Sequence, residues 1–185
     1  MTAPDRAASR ASSGARSPAP GVQVRRLVEA DLVPVWELMR EFAVFERLQH
    51  EFTGSPEALG RHLLHGQWPP LDAFVVEVDG ALGGFAIAYG VFSTFWTRPI
   101  LWLEDLFVAD RFRGRGAGRA LFAAVAALAH ERGCARLDWA VLEWNQSAID
   151  FYERLGAHRA GGWFTYRISG EGLARFADEV APRRE

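Results

Sequence analysis

Apolar positions along the chain recur with two periods. "VQVRRLV" from Val22 alternates as a strand does. Asp31 then stands where it can cap a helix, with Leu32, Val35, Trp36, Leu38, Met39 and Phe42 near helical spacing. Ser55 and Pro56 open a second, short helix that ends near Gly66. "AFVVEVDGALGGFAIAYGVF" reads as two strands around an Asp79-Gly80 turn, a strong hairpin signal. "ILWLEDLFV" predicts a further strand and "GRALFAAVAALAHERG" a helix closed by Gly133. "ARLDWAVL" predicts a strand, "QSAIDFYERLG" a helix with Gly156 behind it, "WFTYRIS" a last strand and "GEGLARFADEV" a final helix. The order β, α, α, strand meander, α, β, α, β, α predicts an α/β fold: a mixed, mostly antiparallel sheet with helices on both faces.

The first twenty residues break the pattern. "MTAPDRAASRASSGARSPAP" is Ala, Ser, Arg and Pro with almost no large apolar residue, so burial cannot offset its ordering entropy. Residues 1–20 are expected to be a disordered leader. Their Arg/Ser-rich, acid-poor composition also resembles a transit peptide, although an amphipathic apolar face and a secretory apolar core are missing. Residues 21–180 are expected to form one domain, and residues 181–185 a charged tail.

Composition narrows the function. The 185 residues carry a net charge of −2, which argues against nucleic-acid binding driven by bulk electrostatics. The one cysteine, Cys134, allows no internal disulfide and no cysteine-based metal site. His62 and His65 share a helical face but have no carboxylate cluster beside them, so no metal is expected. No apolar run reaches the roughly 20 residues of a membrane span. These features suggest a cytoplasmic protein without nucleic-acid or membrane partners.

One stretch carries the chemistry, "LEDLFVADRFRGRGAGRALF", Leu103 to Phe122. Gly114, Gly116 and Gly118 lie between a strand and a helix, where they permit close backbone approaches. The free N–H groups and positive dipole end of the helix would favour a phosphate or pyrophosphate. Arg113, Arg115 and Arg119 add positive charge. No Gly-Lys-Ser/Thr follows, so the loop is not a nucleotide-triphosphate cradle, and it does not fit G-x-G-x-x-G. Glu104 and Asp105 immediately precede it. Adjacent strand residues point to opposite faces unless a bulge re-aims one of them.

The spacing Arg113-x-x-Gly116-x-Gly118, with "WLEDLFV" before it and "AVLEWNQSAIDFYERLGA" after it, resembles the GNAT family of N-acetyltransferases. The likeness is to its diamine acetyltransferase branch, which holds the spermidine/spermine and thialysine enzymes. It extends more loosely to "LMREFAVFERL" and the Trp96 region, and covers residues 22–180. It implies acetyl-CoA as cosubstrate, a small primary amine as acceptor and a homodimer. The pyrophosphate would lie on Arg113, Gly114, Arg115, Gly116, Ala117, Gly118 and Arg119. Backbone groups of Leu106, Phe107 and Val108 would pair with the pantetheine arm as a strand does. Asn145, Ala148 and Tyr152 complete the cofactor contacts that the resemblance implies.

An alkylamine with pKa about 10.4 is neutral in only about one molecule per thousand at pH 7, so the enzyme must remove protons and reprotonate the departing thiolate. The amine can attack a thioester directly, and no enzyme nucleophile is needed. Glu104 is the candidate base and, by the resemblance, Tyr152 the general acid. The resemblance also implies substrate contacts from Phe45, Glu46, Trp96, Glu104, Asp105, Glu143 and Trp144. Two acids of the polyamine enzymes are missing here: Thr94 stands at one place, and a shorter loop with Gly161 at the other. A lysine analogue or diamine is therefore expected over spermine. A GNAT enzyme acting on protein N-termini or lysines, or a CoA-binding regulatory protein without turnover, are the alternatives.

Overall fold

The computed structural model describes residues 19–162 and 164–180. The expected leader lies outside them except for its last two residues, and the charged tail at 181–185 lies outside them entirely. The chain divides into two compact units, one ending at Ala140 and the other beginning at Val141.

The first unit is built on a five-stranded sheet in the order β1 (Val22–Arg26), β2 (Asp72–Val78), β3 (Ala81–Ser93), β4 (Arg98–Val108) and β5 (Leu137–Trp139). The first four strands pair antiparallel, and β5 joins β4 in parallel. The β2–β3 hairpin turns at Asp79 and Gly80, both at positive φ (52° and 79°), as a tight two-residue turn requires. Alternation then divides the apolar side chains between two layers. On one face Val76, Ala86, Ala88, Leu101 and Leu103 pack against Leu121, Val125 and Leu128 of α3 (Ala117–Glu131). On the other Val75, Phe85, Ile87 and Phe107 pack against Val35 and Leu38 of α1 (Leu32–Glu46) and Leu59 and Leu63 of α2 (Pro56–Leu64). Helices thus cover both faces of a mixed sheet, as the sequence predicts.

Helix boundaries follow their local signals, with one difference. Ser55 caps α2 by accepting the Ala58 N–H at 3.2 Å, and Pro56 sits at its first position. Asp31 precedes α1, but its side chain makes no capping bond to that helix. Its carboxylate accepts instead from the Val28 N–H and from Arg25. The buried acid is better matched by a guanidinium than by an N–H of a helix that follows it directly.

Strand β5 is shorter than "ARLDWAVL" suggests. Its ladder with β4 runs only from Leu101–Leu137 to Leu103–Trp139. It stops at a bulge in β4: Leu103 faces Ala88 and Asp105 faces Ile87, so Glu104 is the extra residue. A bulge bends its strand and ends pairing there.

In the second unit, α4 (Gln146–Arg154) and α5 (Gly170–Val180) form where expected. The last strand expected at 163–169 does not. Trp163 lies outside the described residues, and 164–169 have no strand partner among the described residues. Phe164 and Tyr166 are about nine-tenths exposed. An alternating apolar pattern makes a strand only where a neighbour takes its backbone bonds and a layer covers its apolar face.

Candidate active site

The bulge decides the chemistry of β4. In a regular strand Trp102 and Glu104 would share one face and Asp105 the other. Here the register shifts at Glu104, so Asp105 falls opposite Ile87, on the α1 face. Glu104 stays with Trp102: its Oε2 accepts the indole N–H at 2.8 Å and the Tyr89 hydroxyl at 3.3 Å. Tyr89 and Trp102 are cross-strand partners. Two consecutive carboxylates thus lie on one side of the sheet, against two aromatic residues.

Glu46, the last residue of α1, faces the same ground. Burial raises its carboxyl above the usual range. Asp105 is pushed up to about 7, first by burial and then by the charges of Glu104 and Glu46. Desolvation and the adjacent charge of Glu104 also raise the Tyr89 phenol. An unmatched negative cluster of this kind is relieved by a cation, and an alkylammonium supplies both charge and N–H donors.

Beside the acids, β4 has an open edge. The ladder to β5 ends at Leu103. The Ala109 N–H bonds to Gly83 on β3, so Phe107 and Ala109 aim their backbone groups toward β3. By alternation Leu106 and Val108 aim theirs toward the opposite, unpaired edge. Gly84 is required here, because a Cβ would collide with the Phe107 carbonyl oxygen. One group on that edge is engaged: the Val108 carbonyl accepts from Arg113 Nε at 3.0 Å.

The glycine loop leads directly into α3. Gly116 is the residue before the helix and has φ 85°, a left-handed conformation that side chains disfavour. No side chain caps this end, so its first N–H groups face outward. The arginines divide by partner. Arg113 bonds the Val108 carbonyl, pairs with Asp110 at 2.7 Å, and lies 4.9 Å from the Phe45 ring centroid. Arg115 pairs with Asp79 of the hairpin turn. Arg119 is exposed and has no partner among the described residues.

Trp96 stands apart from this group within the unit. It lies in the β3–β4 turn, where the guanidinium of Arg136 sits 4.8 Å from its ring centroid. From Arg98, at the start of β4, to Glu104 is six residues, or about 20 Å at strand rise. Thr94 shares that turn.

In the second unit Asn145 caps α4. Its Oδ1 accepts the Ala148 N–H at 3.2 Å and the Ser147 hydroxyl at 2.9 Å, which leaves the amide nitrogen as its side-chain donor. Tyr152 is half-buried on α4, its ring 5.1 Å from that of Phe151. Glu143 is exposed with Arg159 at 3.6 Å, and Trp144 is half exposed.

Among the described residues no group of three His, Cys, Asp or Glu is placed to hold a metal, and no helix is long and apolar enough to cross a membrane. Cys134 is partly buried against the α3 layer. Tyr89 and Trp102 were not legible as site residues. Their signal, two polar-tipped aromatics in half-buried strands, gains meaning only from the cross-strand register.

A mixed sheet interrupted by a bulge, with a glycine loop opening the following helix, is the framework of an acetyltransferase. Residues 36–157 match the model of the acetyltransferase (GNAT) family, and the chain belongs to that family. It is an acetyl-transferring enzyme. It is 34% identical over 166 residues to thialysine N-epsilon-acetyltransferase of Mus musculus, covering 84% of this chain and 96% of that one. It is 24% identical over 195 residues to L-ornithine N5-acetyltransferase of Arabidopsis thaliana, covering 82% and 86%. Among solved structures, an integron cassette protein from the mobile metagenome of V. cholerae superposes with a TM-score of 0.68 at 25% identity, over 85% of this chain and 98% of that one.

Proposed function

We propose that this enzyme transfers the acetyl group of acetyl-CoA to the primary amine of a small molecule of the lysine-analogue or diamine class. One observation carries the reading: the bulge at Glu104 sets two acids beside Glu46, on the face adjoining an open strand edge and the uncapped start of α3. An ammonium fits the acids. An extended amide-bearing arm fits the edge through Leu106 and Val108, and a pyrophosphate fits the N–H groups after Gly116 together with Arg119. Acetyl-CoA supplies the activated acyl group and a thiolate leaving group.

In this mechanism Asp105 and Glu46 hold the ammonium while Glu104 removes its proton, directly or through water. The freed amine attacks the acyl carbon without a covalent enzyme intermediate. Tyr152 donates its phenolic proton to the leaving sulfur, and Asn145 holds the cosubstrate through its amide. Phe45 borders the amine path, and the family resemblance adds Glu143 and Trp144 as substrate contacts. The relatives that act on thialysine and ornithine support a short amine, and so do Thr94 and Gly161 in place of acids. The reading includes a cytoplasmic homodimer, which light scattering would test for subunit number.

The deciding experiment is a thiol-release assay with acetyl-CoA against thialysine, lysine, ornithine, putrescine, spermidine, spermine and a peptide with a free N-terminus. The short amines should have the highest kcat/KM. Two missing charge contacts, each worth at most about 1 kcal/mol, correspond to as much as about thirtyfold against spermine. A preference for spermine or for the peptide would overturn this assignment.

A further inference from the structure

The Glu104 carboxylate is held by one oxygen. Oε2 accepts both the Trp102 indole N–H, at 2.8 Å, and the Tyr89 hydroxyl, at 3.3 Å. Among the described residues no side chain donates to Oε1. The two donors come from neighbouring strands and face each other across the β3–β4 ladder. The carboxylate is therefore fixed from two directions at one atom, and its rotation about the terminal torsion, otherwise soft, is restricted.

We propose that Trp102 and Tyr89 are positioning residues for the base: by anchoring Oε2 they present Oε1 of Glu104 to the substrate ammonium. This rests on the reading of Glu104 as the base. The chemistry of the two donors suits the task. An indole has one N–H and no lone pair in its plane, so it donates to the carboxylate at every pH and cannot take up the proton that Glu104 removes. The Tyr89 phenol has its acidity lowered by burial and by Glu104 itself, so it too remains a donor through the working range. With Oε2 occupied twice, the proton from the ammonium goes to Oε1, the oxygen with unused lone pairs. Glu104 acts electrostatically on Asp105 of its own strand and on Tyr89 of β3, and Glu46 of α1 acts on the same Asp105. Glu104 and Asp105 repel each other, so without the anchors the Glu104 carboxylate would be free to turn away from Asp105.

Losing an anchor frees the carboxylate to rotate away from the reacting ammonium, so the chemical step slows while the binding groups stay in place. The test is the steady-state kinetics of thialysine acetylation, with acetyl-CoA as donor, in three variants. Replacing Trp102 with β-(3-benzothienyl)alanine keeps the ring shape and deletes the N–H. Tyr89→Phe deletes one oxygen. Each should lower kcat about three- to thirtyfold, the range for a partly exposed hydrogen bond to a charged group. KM for thialysine should stay within about twofold, since Asp105 and Glu46 hold the ammonium. KM for acetyl-CoA should stay within about twofold, since neither residue lies on the open edge or the glycine loop.

Glu104→Gln separates this inference from the reading beneath it. If Glu104→Gln turns over as the parent does, the base assignment fails. If Glu104→Gln is inactive while both anchor variants keep the parent's kcat, the base stands and the positioning role is overturned. Loss of kcat with a matching rise in KM for thialysine in both anchor variants also overturns it, because that is the signature of disturbed packing around the acids.

Discussion

Arg25 reaches Asp31 with both terminal nitrogens, at 2.6 and 2.9 Å, where the chain leaves β1 for α1. Asp31 is 6% exposed, a charged residue buried beside the apolar layers. Arg25 also bonds Glu77 on β2 at 2.8 Å, so the pair ties the entry of α1 to the first hairpin of the sheet.

Asp31→Asn should therefore destabilise the fold by about 2–3 kcal/mol, near the lower end for breaking a buried pair, because Arg25 keeps Glu77 and some water. The Arg25 guanidinium holds the Asp31 carboxyl below its ordinary value of 3.8. The contribution is whole above that value and is lost as pH falls through the lower folded one. Denaturant titration of both proteins between pH 3 and 7 should show the difference shrinking only at the acid end. A constant difference would exclude the ion pair as its cause.

Asp105 has the opposite sign. Its folded pKa of about 7 lies above the ordinary 3.8, so folding favours its protonated form. Its stabilisation is complete below about pH 4 and is lost as pH rises through 7. Asp105→Asn should be more stable than the parent by about 1–3 kcal/mol at pH 8, with the advantage gone near pH 4. The same variant should bind the amine more weakly. Chemical denaturation at the two pH values measures the first effect. A variant less stable at pH 8 would show that Asp105 is satisfied by partners other than a substrate cation.

The arginines of the glycine loop should separate by function. Arg119 has no partner among the described residues, so Arg119→Glu should raise the Kd for acetyl-CoA about tenfold at low salt and less at high salt, with stability unchanged. Arg113 bonds the Val108 carbonyl and lies over Phe45, so Arg113→Ala should lower stability by about 1–2 kcal/mol. Calorimetric titration and thermal unfolding of both variants check this. Equal losses of affinity without loss of stability would place Arg113 on the phosphates instead.

Tyr152→Phe should keep acetyl-CoA affinity and lower turnover about ten- to ten-thousandfold, the range for a general acid. Single-turnover measurements with saturating amine separate the chemical step from product release. Wild-type turnover would leave the half-buried phenol a packing role on α4.

Much of this protein follows from local sequence, because local signals act over a few residues. Ser55-Pro56 starts α2, Asp79-Gly80 turns the first hairpin, and Gly133 and Gly156 end their helices, each through backbone geometry that only a few residue types accept. The glycine loop before α3 is legible for the same reason. Three features are not. The fate of 164–169 depends on whether another strand offers its backbone, and no residue in that segment encodes the offer. The Arg113, Arg115 and Arg119 run reads as one basic patch, yet Val108, Asp110 and Asp79 engage two of the three, two of those partners from outside the loop itself. Glu104 and Asp105 read as a pair split between two faces or re-aimed by a bulge. Only the register of β3 against β4, where Ile87 meets Asp105 and Ala88 meets Leu103, decides for the bulge. Register is a property of two strands packed between two helical layers, set by the sum of their buried contacts, and so tertiary structure alone brings both acids, Tyr89 and Trp102 to one face.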